Sequence, residues 1–432
     1  MRRRDFLRKS AAAAVAGISA PYLIPSPVLA ASGRPGANDR IVVGFVGIGG
    51  RAKWLMRQLV KNEELAAAQI VALADAFLPR CHEAAKDLPG GEKWNKYQDY
   101  RKMFDKEKLD AVFVETTSHA RVLVCMHALQ AGLDVYGEKP LTLTVAEGRP
   151  LVQAVRKYNR VLQTGTQQRS IPINMYASKL VREGALGKVS EVIACNFEGP
   201  QRWTPKPAQP MPDGLDWDQW CNQTELRPYH KDLHLHWALW WDYDGGGQVW
   251  GVTGWGTHSL DQVQCALGAD DTGPVEIWPE EPGPKCKVTM RYASGTVLKL
   301  EQPKINDHQQ LGAIFVGEKG KIQILRGDFK AEPKELEAEL RKGAPEPTPE
   351  GNHECDEHIR NFFDCMRTRK LPNADVEIGH RSTTVCHLMN ICRDLGRKLQ
   401  WDPKAEQFIG DDEANKVLSR PRRKGYELPK IV

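Results

Sequence analysis

An α/β domain with a doubly wound parallel sheet, followed by an α+β domain on an open, mostly antiparallel sheet, is the fold class this sequence predicts. Two observations carry it. Strand-like and helix-like stretches alternate from residue 40 to about residue 165, as right-handed βαβ units require. Beyond Gly165 the alternation stops, and strands succeed one another without helices between them. A length of 432 residues agrees, since it exceeds one ordinary domain.

The first strand is the unbroken apolar run Ile41-Val42-Val43-Gly44-Phe45-Val46, the signature of a strand covered on both faces. A helix is expected from about Arg51 to Leu65, a strand over Ile70–Ala74, and a helix from Pro79, where proline suits a first turn. Ala111–Glu115 reads as a third strand, Ala120–Ala131 as a helix and Asp134–Tyr136 as a fourth strand. In the second half Glu191–Glu198, Lys285–Tyr292, Thr296–Gln302 and Ala313–Leu325 read as antiparallel neighbours, with Ser294-Gly295 as one turn. Residues 326–352 are interrupted by Pro333, Pro345, Pro347 and Pro349 and read as a surface loop or short exposed helix. Two helices follow, around His353–Arg369 and Glu377–Leu399.

The first thirty residues read as an address. Arg2, Arg3 and Arg4 precede a small-residue apolar run from Ala11, and Val28 and Ala30 suit cleavage after Ala30: a twin-arginine export signal. Pro21, Pro25 and Pro27 interrupt that run, so it makes a poor membrane anchor. The expected organisation is a signal at 1–30, a linker at 31–39, a nucleotide-binding domain at 40–165 and a substrate-binding and oligomerisation domain at 166–432, with a periplasmic location and the twin-arginine translocase as a partner during export. The formal charge is +5, of which Arg2, Arg3, Arg4, Arg8, Lys9 and Asp5 supply a net +4, leaving +1. So small a charge excludes a nucleic-acid-binding field. The ten cysteines form no Cys-x-x-Cys pair and no Cys/His cluster at zinc spacing, so no metal site is expected. Most of the thiols are expected to be buried and inert, with periplasmic disulfides left open.

Gly47-Ile48-Gly49-Gly50-Arg51-Ala52 follows the first strand and opens a helix, the context that the G-x-G-x-x-G/A dinucleotide fingerprint demands. Gly47 allows the tight turn, Gly49 a close approach of a pyrophosphate, and Ala52 close packing of helix on sheet. Asp75 ends the second strand, twenty-three residues beyond Ala52, where a carboxylate accepts from ribose hydroxyls and repels a 2′-phosphate. The pattern is that of a Rossmann domain for NAD, with NADP disfavoured.

Further blocks then appear in order: Thr116 to His119, Gly137-Glu138-Lys139-Pro140-Leu141, Gln163-Thr164-Gly165-Thr166-Gln167-Gln168-Arg169, Leu215 to Trp220, Arg227-Pro228-Tyr229, and Trp241-Asp242-Tyr243 before Gly245-Gly246-Gly247. With them the chain resembles the Gfo/Idh/MocA oxidoreductase family, and its exported bacterial branch in particular. The resemblance implies that Lys139 stands by the nicotinamide and the substrate hydroxyl as a catalytic residue. It implies that Gly254-Trp255-Gly256-Thr257-His258 is the family's Asp-x-Gly-x-His motif, with His258 catalytic and Gly254 in place of the aspartate. Thr116, His119, Glu138 and Lys139 join the glycine turn and Asp75 as expected cofactor contacts. Arg169, Tyr229, Trp255 and Asp261 are expected to bind substrate. A homo-oligomer formed through the open sheet is implied as well.

The activity so implied is hydride transfer between NAD and a secondary hydroxyl of a sugar or polyol. Two alternatives stand beside it: a redox-neutral, NAD-dependent glycoside hydrolase with tightly held cofactor, and a non-catalytic sugar- or NAD-binding protein.

Overall fold

The computed structural model describes residues 40–62, 68–302, 311–348 and 355–431; the expected export signal and linker lie outside them. The first sheet is assembled from β1 (Ile41–Val46), β2 (Ala68–Ala74), β3 (Asn95–Tyr97), β4 (Ala111–Val114), β5 (Asp134–Gly137) and β6 (Leu162–Thr164). Its order is β3-β2-β1-β4-β5-β6 and every pair is parallel. The connecting helices are α1 (Gly50–Lys61), α2 (Pro79–Asp87), α3 (Tyr100–Lys106), α4 (Ser118–Gln130) and α5 (Gly148–Lys157). Strand order reverses between β1 and β4, which opens a crevice at their C-terminal ends.

Two strands of this sheet escape the sequence reading. Asn95-Lys96-Tyr97 and Leu162-Gln163-Thr164 are three residues each, too short and too polar to show a period.

The second half begins with α6 (Pro172–Arg182), β7 (Val189–Cys195), α7 (Trp217–Cys221), α8 (Lys231–Leu235) and α9 (Trp255–Leu267). Strands β8 (Pro274–Pro279), β9 (Val288–Tyr292), β10 (Val297–Gln302), β11 (Ala313–Gly317), β12 (Gly320–Leu325) and β13 (Asp328–Glu332) follow. The chain closes with α10 (Lys334–Leu340), α11 (Cys355–Thr368), α12 (Val376–Leu395), β14 (Leu399–Asp402), β15 (Gln407–Phe408) and α13 (Asp412–Lys416). The nine-stranded sheet runs β13-β12-β11-β7-β10-β9-β8-β14-β15.

Its strands are antiparallel except at one pair: β10 lies parallel to β7, not antiparallel as the sequence pattern predicts. The long segment between β7 and β8 returns the chain so that β7 enters mid-sheet, a pairing no local period encodes. Gly295, at φ 87°, turns β9 into β10 as expected. Ala313–Leu325 is a hairpin, not one strand, broken at Gly320, whose φ of 140° belongs to glycine. Within residues 326–348 the expected short exposed helix is α10, preceded by β13, which the sequence reading did not anticipate.

Helices α6, α9 and α12 cover one face of this sheet, burying Ile173, Leu260, Val263 and Leu388 against Val192, Leu298 and Phe315. Helix α11 crosses back instead: Ile359, Phe362, Phe363 and Met366 pack with Phe45, Phe113 and Tyr136 in the core of the first sheet. Nine of the ten cysteines, all but Cys355, are buried thiols that form no disulfide with one another.

Candidate active site

At the end of β1 the backbone turns through Gly47, with φ 87°. A Cβ there would lie 2.6 Å from the Thr116 nitrogen, so only glycine lets the turn lie against the chain leaving β4. Gly49 and Gly50 have no heavy atom within 4 Å of a would-be Cβ, which leaves their backbone open to the cavity. No side chain caps α1, so its first N–H groups remain available to an anion. Asp75 fixes the turn from below: its carboxylate accepts from Ile48 N at 2.6 Å and from Phe77 N at 2.8 Å. Burial pushes the Asp75 carboxyl up, while Arg80 and the two backbone donors pull it back down.

These groups line a cavity of about 320 Å³ together with Arg80, Glu115, Thr116 and Thr117 on the Rossmann side. Gln219, Trp220 and Asn222 close it from the second domain. Ile48, an expected cofactor contact, does not line it: its side chain is buried in the core beneath and its backbone N–H is taken by Asp75. His119 does not reach the cavity. It is buried, and its Nε2 donates to the Trp220 carbonyl at 2.8 Å, which sets the Trp220 wall in place. Burial holds the His119 ring neutral, pushed down to about 4.

A second cavity of about 280 Å³ adjoins the first, sharing Arg51, Glu115, Thr116 and Trp237 with it. Lys139 lines it at the end of β5, and its Nζ donates to the Gly254 carbonyl at 3.0 Å. Burial lowers the Lys139 ammonium, against Glu138 and Asp244, which raise it. Glu138 receives the Arg51 Nε at 2.8 Å and the Lys139 backbone N–H at 2.8 Å. His258, one turn into α9, lines the same cavity with Nδ1 unpartnered. Burial, then the charges of Arg326 and Lys139, hold this imidazole well below its ordinary value, so it is neutral at pH 7.

Gly254 has a steric explanation. A Cβ there would lie 1.9 Å from the Gln248 carbonyl oxygen, so no aspartate fits. The carboxylate comes instead from Asp244, which is fully buried, accepts from the Ser118 and Thr253 hydroxyls and lines the Lys139 cavity. Asp244 stands just before the Gly245-Gly246-Gly247 run, and that neighbourhood was the signal for it in the sequence. Glu115 was not singled out, although, like Asp75 after β2, it is an ionisable residue directly following an apolar strand. Trp237 was one of several tryptophans available to a sugar face, whereas Arg121, which also lines the site, gave no signal.

Four expected substrate contacts lie elsewhere. Arg169 and Asp261 are buried and spent on each other at 2.9 Å, with Asp270 and Ser382 completing the network. Such a pair locks α9 to the turn after β6; it has no free face for a ligand. Tyr229 packs edge-on against Trp217 in an aromatic cluster. Trp255 packs against Trp250 and the second core. None of the four lines either cavity.

Residues 41–166 match the family described as "Oxidoreductase family, NAD-binding Rossmann fold", and residues 173–428 match its "C-terminal alpha/beta domain". The chain belongs to the Gfo/Idh/MocA oxidoreductase family, and its first domain is an NAD-binding Rossmann domain. Among curated relatives, the NADP-dependent D-xylose 1-dehydrogenase of Hypocrea jecorina is 28% identical over 35% of this chain and 40% of its own. The NAD-dependent scyllo-inositol 2-dehydrogenase of Bacillus subtilis is 26% identical over 35% of this chain and 43% of its own. The matched stretch thus spans about two fifths of those relatives. Among solved structures, the aldose–aldose oxidoreductase of Caulobacter crescentus superimposes with a TM-score of 0.56 at 19% identity, over 84% of this chain and 99% of that one. The WlbA dehydrogenase of Bordetella pertussis, complexed with NADH and UDP-GlcNAcA, gives 0.58 at 17% identity over 84% and 99%. These likenesses establish the fold.

Proposed function

We propose that this protein is an NAD-dependent oxidoreductase that moves hydride to or from a secondary hydroxyl of a sugar or polyol. The observation that carries the reading is the junction of the two cavities: a dinucleotide cradle opens onto a pocket that holds Lys139, His258 and Asp244. The open glycine turn, the uncapped helix and Asp75 match a pyrophosphate and a ribose diol. Bound NAD supplies the hydride acceptor or donor.

The chain's own groups handle the proton. Lys139 Nζ donates to the substrate oxygen in one direction and accepts from it in the other, and its lowered pKa favours that exchange. Neutral His258 lines the same pocket and offers its imidazole as a second base. Trp237 lines both cavities where they meet. The similarity to sugar and inositol dehydrogenases supports the substrate class.

A second reading, in which the cofactor is regenerated in place as in a redox-neutral glycosidase or a sugar–sugar transhydrogenase, is favoured by the wall of the first cavity. Arg423 and Tyr426 near the chain's end hold Asp218, on the helix that carries Gln219 and Trp220. A cofactor so enclosed leaves slowly. This agrees with export by the twin-arginine route to the periplasm, the location we infer from Arg2, Arg3 and Arg4, where NAD must be carried in. No helix among the described residues is long and apolar enough to cross a membrane. We further infer a homo-oligomer through the outer face of the nine-stranded sheet, where Ile193, Ile314 and Val316 are half-buried side by side.

The test is to denature protein purified without added cofactor and assay the supernatant for NAD(H), then to supply polyols, aldoses and glycosides. NADH formed with a polyol or aldose supports the first reading; sugar released from a glycoside without net NADH supports the second. A site that is empty and also refuses added NAD would end both.

A further inference from the structure

Glu115 ends β4 at the boundary of the two cavities and lines both. Neither of its carboxyl oxygens is exposed to solvent, and neither has a hydrogen-bond partner among the described residues. An ionised carboxylate left so would be costly, since nothing replaces the water it has lost. Two arginines nearby favour its anion, but neither makes a hydrogen bond to it. Arg51, from the first turn of α1, is committed to Glu138 at 2.8 Å, and Arg121, from α4, donates to the Thr116 and Pro140 carbonyls. Glu138, at the end of β5, adds a like charge, and Lys139 beyond it is drawn to the Gly254 carbonyl. Burial and the Glu138 carboxylate together raise Glu115 well above the ordinary carboxylic range, against the charges of Arg51 and Arg121, whereas Glu138 is held below it by Arg51 and Lys139, against its own burial. Of the two acids, Glu138 is the anion and Glu115 keeps its proton.

We propose that Glu115 is the proton store of this site, ionised while the cofactor is the cationic NAD⁺ and protonated while it is neutral NADH. The inference rests on the oxidoreductase reading and extends it. A cationic ring next to a buried carboxyl favours the anion by replacing the counter-charge the protein withholds. Loss of that ring charge on reduction returns the preference to the acid. The half-reaction then balances inside the site. From Glu115 carboxylate, NAD⁺ and R₂CHOH it gives Glu115 carboxylic acid, NADH and R₂C=O. The C–H bond breaks with its electron pair passing to the cofactor. The O–H proton leaves through Lys139 and is kept on Glu115, and no proton is released to solvent. Run in reverse on a second sugar or on the same one, the site returns hydride and proton together. That is what a cofactor regenerated in place demands.

The experiment counts protons. Protein freed of cofactor is titrated with NAD⁺ and, separately, with NADH by calorimetry in two buffers of different ionisation enthalpy at pH 7. Wild type is expected to release about one more proton on taking NAD⁺ than on taking NADH, because only the cation ionises Glu115. E115Q is isosteric and cannot ionise, so its two counts become equal, and its affinity for NAD⁺ relative to NADH falls by about tenfold, one pKa unit of lost linkage. Equal counts for the two redox forms in wild type overturn the proposal, with no variant needed. A difference that persists in folded E115Q overturns it as well, since another group would then hold the proton. Failure of wild type to bind either form would instead remove the oxidoreductase reading beneath it.

Discussion

With its Nζ 3.0 Å from the Gly254 carbonyl and the carboxylates of Glu138 and Asp244 opposing the effect of burial, Lys139 is oriented by backbone and tuned by two acids on different segments. Lys139→Ala is expected to lower kcat by about 100-fold or more while the protein stays folded. In the oxidising direction the neutral amine accepts the proton, so kcat/KM rises with pH through an apparent pKa below the 10.5 of an ordinary lysine. A pH–rate profile checks this, and persistence of that limb in the alanine variant would assign it to another group. Gly254 belongs to the same scale. Gly254→Ala drives a methyl to within 1.9 Å of the Gln248 oxygen, so the loop must move and carry the Lys139 anchor with it. A loss of about 1–3 kcal/mol in denaturant unfolding is expected, with activity falling further than stability alone accounts for.

Among the elements, α7 and the final dozen residues act together on the cofactor cavity. Asp218 accepts from the Tyr426 hydroxyl at 2.6 Å and pairs with Arg423, whose Nη2 also donates to the Asn222 carbonyl at 3.0 Å. Beyond them Leu428 and Ile431 pack against the Rossmann core, so the tail straps α7 down over the dinucleotide site. Asp218→Ala removes both side-chain contacts without touching either cavity. It is expected to speed NADH dissociation by about fivefold with the thermal midpoint nearly unchanged. Stopped-flow release measured by cofactor fluorescence decides it, and an unchanged off-rate would show that α7 holds its place without the strap.

At the scale of the whole molecule, an ionic cluster joins the two domains. Arg149 on α5 pairs with Glu377 on α12 at 2.6 Å and with Glu406 in the turn after β14, and Glu406 also meets His380 at 2.9 Å and Arg381 at 3.2 Å. Burial raises the Glu406 carboxyl, but His380 and Arg149 outweigh it and bring the group from 4.5 to about 2. A carboxylate depressed on folding adds stability that is fully present above its unfolded pKa and is lost as pH falls through the folded one. Glu406→Gln is therefore expected to be less stable than wild type at pH 6, and the gap should close between about 4.5 and about 2. Denaturant midpoints measured across that range test it.

The sequence by itself determined the architecture of both domains, the glycine turn and the place of Asp75, because a period, a required φ or a motif in its strand–turn–helix context is a local property, whereas Lys139 and His258 were pointed to by the family resemblance. It could not show that β10 runs parallel to β7, or that α11 returns to the first sheet, because pairing between distant segments leaves no period. Arg169 and Asp261 look like site residues in one dimension, and only their 2.9 Å contact reveals that they satisfy each other. The tertiary structure alone decided that Asp244 supplies the carboxylate Gly254 lacks and that Glu115 sits without a partner between two cavities. What a side chain does depends on which charges and donors reach it through space, and those arrive here from segments more than a hundred residues apart.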